Sequence, residues 1–254
     1  MTQSIIPSAE PFFFTGGPTG VLLVHGFTGA PKEMRWMGEY LNQKGFSVLG
    51  VRLAGHATQP DDILRVHWQD WLTSVEDGYH LLKGITSKIV IAGLSLGGAL
   101  SLIFASRFEV AGVIAMSTIF ELPPDSRLRF IRLLHWIQPQ VPKGESDWKD
   151  PVPESDHVDY PYYPTKAIMQ VQGLLAELAE ALPRISVPCL LIHSRQDGSV
   201  PPDHMEKIFA RLGSEDKEML WIENSGHVIV RDLEKRKVFE AAEQFIRKVS
   251  EISA

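Results

Sequence analysis

The run IVIAGLSLGGA at residues 89–99 constrains this chain more than any other stretch. Its β-branched start reads as a buried strand, and Leu100, Ile103 and Phe104 beyond it read as a helix. A strand that turns at once into a helix forces the corner residue, here Ser95, into a strained conformation with its side chain exposed. The positions two before and two after then press on neighbouring backbone, where a Cβ clashes, and Gly93 and Gly97 occupy them. The spacing predicts a nucleophile elbow. An ordinary glycine-rich turn is the alternative, and it leaves the downstream features without a role.

Around this point, strands and helices alternate. Short runs at residues 21–25, 46–51, 110–116, 188–193 and 218–222 read as strands, the first buried on both faces. Stretches at 33–44, 68–83, 165–182, 203–212 and 233–249 read as helices, the second with Trp68, Trp71, Leu72, Val75, Tyr79 and Leu82 along one stripe. This order demands right-handed crossovers and a mostly parallel sheet flanked by helices. The alternation breaks over residues 119–163, which are rich in proline and acidic residues and too long for a simple connection. They are expected to form a small cap, with residues 1–118 and 164–254 as the core. A helix at 126–137 places Leu128, Ile131, Leu134 and Ile137 on one face. It is expected to act as a lid over a substrate pocket; packing on the protein body and membrane-surface binding are the alternatives.

A serine hydroxyl needs an imidazole to accept its proton and a carboxylate to fix the imidazole tautomer. In open parallel sheets such groups gather at the carboxyl ends of strands. Asp197 and His227 each follow a strand end, and the order Ser95, Asp197, His227 matches one hydrolase architecture. His25 and His56 precede the serine in glycine-flanked loops and are expected to be structural. His193 reads as a core histidine and Asp203 as a helix-start charge. Asp125, Asp147, Asp150, Asp156 and Asp159 are expected to be solvated charges of the cap. In this architecture the oxyanion donors are the backbone N–H groups of Leu96, after the nucleophile, and of Phe27, in the loop after the first buried strand. Phe27, Val200 and Val228 are the expected substrate-binding residues.

Four segments, VHGFTG at 24–29, GLSLGG at 93–98, DGSVP at 197–201 and SGH at 225–227, resemble the α/β-hydrolase superfamily. Within it the chain is similar to bacterial carboxylesterases and monoacylglycerol lipases with a small cap. The resemblance spans nearly the whole chain and implies the same triad and oxyanion donors. It departs at LAGHA, residues 53–57, where many relatives show Pro-Gly-His-Gly. Ester hydrolysis through an acyl-enzyme is the expected reaction, on short-to-medium acyl chains or monoacylglycerols. Hydrolysis of an amide or carbon–carbon bond would use the same triad. A haloalkane dehalogenase would need a carboxylate at Ser95, and a noncatalytic receptor on this fold is the remaining alternative.

A formal charge of −6 argues against a nucleic-acid surface. The first ten residues lack the basic and apolar segments of a signal peptide, and the composition suggests no membrane span. The single cysteine, Cys189, lies in an apolar run and reads as a buried structural thiol. A cytoplasmic monomer or homodimer acting on a small ester with an apolar acyl group is expected, with no metal or organic cofactor.

Overall fold

The computed structural model describes residues 4–123 and 136–250. Seven strands form one sheet: β1 (Phe12–Phe14), β2 (Thr19–Val24), β3 (Ser47–Val51), β4 (Lys88–Leu94), β5 (Gly112–Met116), β8 (Cys189–Ser194) and β9 (Lys217–Ile222), in the order β1-β3-β2-β4-β5-β8-β9. All neighbours are parallel except β1, which pairs antiparallel with β3 through Phe12↔Gly50 to Phe14↔Val48. This edge strand is missing from the sequence-based expectation, because three residues show no periodicity.

Alternate residues of each strand feed two cores. Val21, Leu23, Val90, Ala92, Ile114 and Met116 meet Met34, Met37 and Leu41 of α1 (Lys32–Gln43) and Val238, Phe239 and Phe245 of α7 (Lys235–Ser250). On the other face, Leu22, Val24, Ile91, Val113 and Leu191 meet α2 (Trp68–Lys83), α3 (Leu96–Ala105) and α5 (Thr165–Ala181). Helix α6 (Asp203–Arg211) joins β8 to β9. Cys189 is buried, and burial pushes its thiol up to about 12. The helix boundaries fall within two residues of those expected from the periodicity.

From β2 the chain moves to β3 on one side, and from β4 to β5 on the other. The loops after β2 and β4 therefore diverge, opening the crevice that such a topological switch creates at the carboxyl ends of strands.

Between β5 and α5 the structure describes a two-stranded antiparallel pair, β6 (Gln140–Pro142) with β7 (Tyr162–Pro164), and a short helix α4 (Pro151–Ser155) capped by the Asp150 carboxylate. Of the expected lid helix, residues 126–135 lie outside the described residues, as does Asp125. The expected boundary between residues 163 and 164 falls inside β7.

Candidate active site

Ser95 stands between β4 and α3 with φ 56° and ψ −116°, a conformation that L-residues rarely adopt. A Cβ on Gly93 would lie 2.0 Å from Gly97 O, and one on Gly97 would lie 2.3 Å from Val24 O. The two glycines thus let the first turn of α3 close onto the ends of β4 and β2. The Ser95 amide is fixed by a 2.8 Å bond to Met116 O on β5, and the residue is 9% exposed.

The loop after β2 turns on Gly26 and Gly29, with Thr28 at φ 61°. Glu33, at the start of α1, fills its concave side: Oε2 accepts the Gly26 N–H at 2.8 Å, and a Cβ on Gly29 would meet the carboxylate. Burial raises the Glu33 carboxyl to about 7. Among the described residues, neither the Phe27 nor the Leu96 amide has an acceptor, so both remain available to a ligand. Leu96 opens α3, where the helix dipole favours negative charge.

Asp197 follows β8 and His227 follows β9. His227 Nδ1 lies 2.8 Å from Asp197 Oδ2, so Nδ1 carries the proton and Nε2 is left as a base. Asp197 Oδ1 accepts the Ser199 and Val200 amides at 2.9 and 2.8 Å. Burial opposes its ionisation, but the His227 charge and the hydrogen bonds from His193 and His227 hold the carboxyl well below the usual carboxylate range. Burial alone would lower the His227 imidazole; the Asp197 charge and hydrogen bond, aided by Asp147 and Glu33, leave it above 6.5.

Ser95, His227, Phe27, Leu96, Val200 and Val228 all line one cavity of about 610 Å³, with Asp197 behind His227. Its lining is mixed. Ile119, Leu122, Val141, Ile168 and Val171 supply apolar surface. Glu33, His157, Asp159 and Lys143 form one linked polar set: His157 Nε2 is 3.6 Å from Glu33 Oε1 and 3.8 Å from Asp159, which pairs with Lys143.

The family described as serine aminopeptidase, S33, matches residues 19–234. The chain belongs to this S33 family of hydrolases. It is 34% identical over 250 residues to a thermostable monoacylglycerol lipase of Bacillus sp. (strain H-257), covering 96% of each chain. Identity to a carboxylesterase of Bacillus subtilis (strain 168) is 28%, over 96% of this chain and 98% of that one. A solved structure from the metagenome-derived lipolytic enzymes LipS and LipT superposes with a TM-score of 0.90 at 33% identity, over 96% of this chain and all of that one. The architecture is the α/β-hydrolase fold.

In this S33 hydrolase the expected roles of several acidic residues need correction, and the histidines find specific partners. The Asp147, Asp150 and Asp159 carboxylates are partly buried and partnered rather than free solvated charges, whereas Asp156 is paired but 56% exposed, a solvated charge as expected. Asp147 Oδ2 accepts the Gly198 and His227 amides, and Asp156 pairs with Lys32 and with the buried Arg231. Asp150 caps α4 and Asp159 pairs with Lys143. Asp147 and Asp156 find donors far along the chain, which the composition of their own segment cannot show, whereas the donors of the Asp150 cap and the Asp159 pair lie within residues 119–163. His193 is buried, but its Nε2 lies 3.0 Å from Asp197 Oδ2 and 3.2 Å from Val200 O, so it belongs to the acid's environment. Its place four residues before Asp197, at a strand end, was the available signal. His25 bridges Gly26 O and the Leu53 amide, and His56 Nδ1 meets Ala54 O; burial lowers both, His56 to about 4.

Proposed function

We propose that the chain is a serine carboxylic ester hydrolase in which Ser95 is the nucleophile, His227 the base and Asp197 its partner, acting on medium-chain acyl esters of a small hydroxylated alcohol such as monoacylglycerols. The mixed lining of the cavity at Ser95 carries this reading. Its apolar residues suit an acyl chain, while Glu33, His157 and Asp159 offer partners to hydroxyl groups.

In this reading His227 Nε2 takes the Ser95 proton as Oγ attacks the ester carbonyl. The carbonyl oxygen becomes an oxyanion bound by the Phe27 and Leu96 amides, the largest expected source of transition-state stabilisation. His227 then gives its proton to the departing alcohol, and water, deprotonated by the same imidazole, releases the acid. Asp197 keeps Nδ1 protonated throughout. Residues 119–163 serve as the cap that completes the pocket.

Amide hydrolysis is the second reading, motivated by the family description and by carboxylates in the cavity that could face an ammonium group. Asp159, however, already pairs with Lys143, and Glu33 gives up its proton only near pH 7, so little free negative charge is on offer. Rates on p-nitrophenyl esters of graded acyl length, on monoacylglycerols and on aminoacyl p-nitroanilides decide between them. The proposal expects a medium-chain ester optimum that Ser95→Ala abolishes. Unchanged ester turnover in Ser95→Ala, or faster anilide cleavage, would sink it.

A further inference from the structure

The insertion reaches the catalytic loops through one carboxylate that the chemistry above does not use. Asp147 Oδ2 accepts the Gly198 N–H and the His227 N–H, each at 2.8 Å. Gly198 directly follows Asp197, so a single oxygen from the insertion joins the loop bearing the acid to the loop bearing the base. The contact is close on both sides. A Cβ on Gly226 would lie 2.4 Å from Asp147 O, and one on Gly198 would lie 3.2 Å from Asp147 Cβ.

The core answers with a reciprocal tie. Asp232, fully buried beyond the base loop, accepts the Asp150 amide at 2.8 Å, the Lys149 amide, and the Gly226 amide at 2.6 Å. The two catalytic loops also meet nearer their strands, where Ser194 Oγ donates to Ser225 O and Gln196 Nε2 to Glu223 O. Those bonds fix the base of each loop. Asp147 acts at the Gly198 and His227 amides, beside the Asp197–His227 contact itself. Hydrogen bonds to an ionised carboxylate are the strong kind, and two on one oxygen constrain both donors together.

We propose that Asp147 is a positioning residue of the hydrolytic site, locking the Asp197 and His227 loops against each other, so that the insertion is part of the machinery as well as its cover. This rests on the reading of Asp197 and His227 as triad partners. The charged and titratable groups facing His227 are Asp197 from the loop after β8, Asp147 and His157 from the insertion, and Glu33 from α1. Asp147 therefore acts in two separable ways, by geometry through its oxygen and by charge on the imidazole.

Asp147→Asn keeps an oxygen acceptor and loses the charge; Asp147→Ala loses both. The alanine variant is expected to lower kcat by about 10- to 100-fold with little change in KM, the scale of loss for a misplaced catalytic group. The asparagine variant should recover most of that loss. Its kcat–pH profile should move to lower pH, and so should the His227 titration followed by NMR. An alanine variant whose folded fraction keeps kcat within about twofold of the parent would overturn the proposal, whatever its melting temperature. So would an asparagine variant that recovers nothing. Ser95→Ala, run alongside, tests the triad reading separately. If turnover survived it, amide hydrogen exchange, which needs no turnover, would still decide: Gly198 and His227 amides that exchange no faster in Asp147→Ala overturn the lock, and faster exchange supports it.

Discussion

His193 Nε2 lies 3.0 Å from Asp197 Oδ2, the oxygen that also receives His227 Nδ1. With Val200 O at 3.2 Å, both neighbours of Nε2 are acceptors, so this nitrogen carries a proton and donates. Asp197 is thus held by two imidazoles and two backbone amides, and it cannot rotate without breaking several charge-assisted bonds. His193→Leu removes one of them without touching the proposed base. It should cost about 1.5–3 kcal/mol of stability, the usual worth of a hydrogen bond to a charged group. Its loss of kcat should be far smaller than that of Asp197→Asn. Urea unfolding and steady-state kinetics on the two variants check both statements; equal kinetic losses would place His193 in the chemistry itself.

The His227 imidazole is raised above its ordinary value of 6.5 in the folded protein, and as the proposed base it must be neutral to accept a proton from Ser95. Activity should therefore fall as pH drops through a value above 6.5. The stability sign is opposite: a raised histidine contributes fully below its unfolded value, and the contribution is lost as pH rises through the folded one. The pH range that switches the enzyme on is thus one in which His227 gives up stability. Asp197→Asn should shift the acid limb of kcat/KM to lower pH and reduce kcat by a factor on the order of 10⁴, as expected when the wrong tautomer is favoured. An unmoved limb would show that another group controls it.

Gly93→Ala and Gly97→Ala test the elbow sterically. Their Cβ atoms would sit 2.0 and 2.3 Å from carbonyl oxygens of the backbone, which no side-chain adjustment can relieve. Each should destabilise by about 4 kcal/mol or more, or fail to fold. Thermal melts and fluorophosphonate labelling of Ser95 give the readout. Native-like melting in either variant would mean that α3 can move away from β2 and β4.

The parts legible in the sequence are those in which a residue type answers a demand of its own backbone. Gly93 and Gly97 announce the elbow because only glycine fits there, and Asp197 and His227 stand out because they follow apolar strands. Asp147 was illegible for the converse reason. Its partners are backbone amides 51 and 80 residues away, and an amide leaves no mark in the residue identity. Phe12–Phe14 is illegible as a strand for the same reason, since its pairing with β3 depends on a distant partner. Ala57, in the LAGHA loop, takes φ 58°, a left-handed conformation that favours glycine and that the residue identity does not announce.

Glu33 offers a test of the oxyanion loop through stability alone. Its carboxyl is 5% exposed, accepts the Gly26 amide, and is raised by burial from 4.5 to about 7. Between those values the native state keeps a proton that the unfolded chain releases, so rising pH favours unfolding. The cost accumulates to on the order of 3 kcal/mol across the window. The slope of the parent protein does not isolate it, because His56 and His157, both lowered to about 4 by burial, gain stability as pH rises toward 6.5. Glu33→Gln cannot titrate and keeps an oxygen for Gly26, leaving those histidines in place. Subtracting the two urea-unfolding free energies at each pH therefore removes the contribution of His56, which Glu33 does not touch, and leaves Glu33 with its coupling to His157 and His227. The variant should gain on the parent by about 3 kcal/mol between about pH 4.5 and pH 7, and the difference should level off above. A flat difference would mean that Glu33 is ionised throughout, held by the Gly26 amide more strongly than burial opposes it.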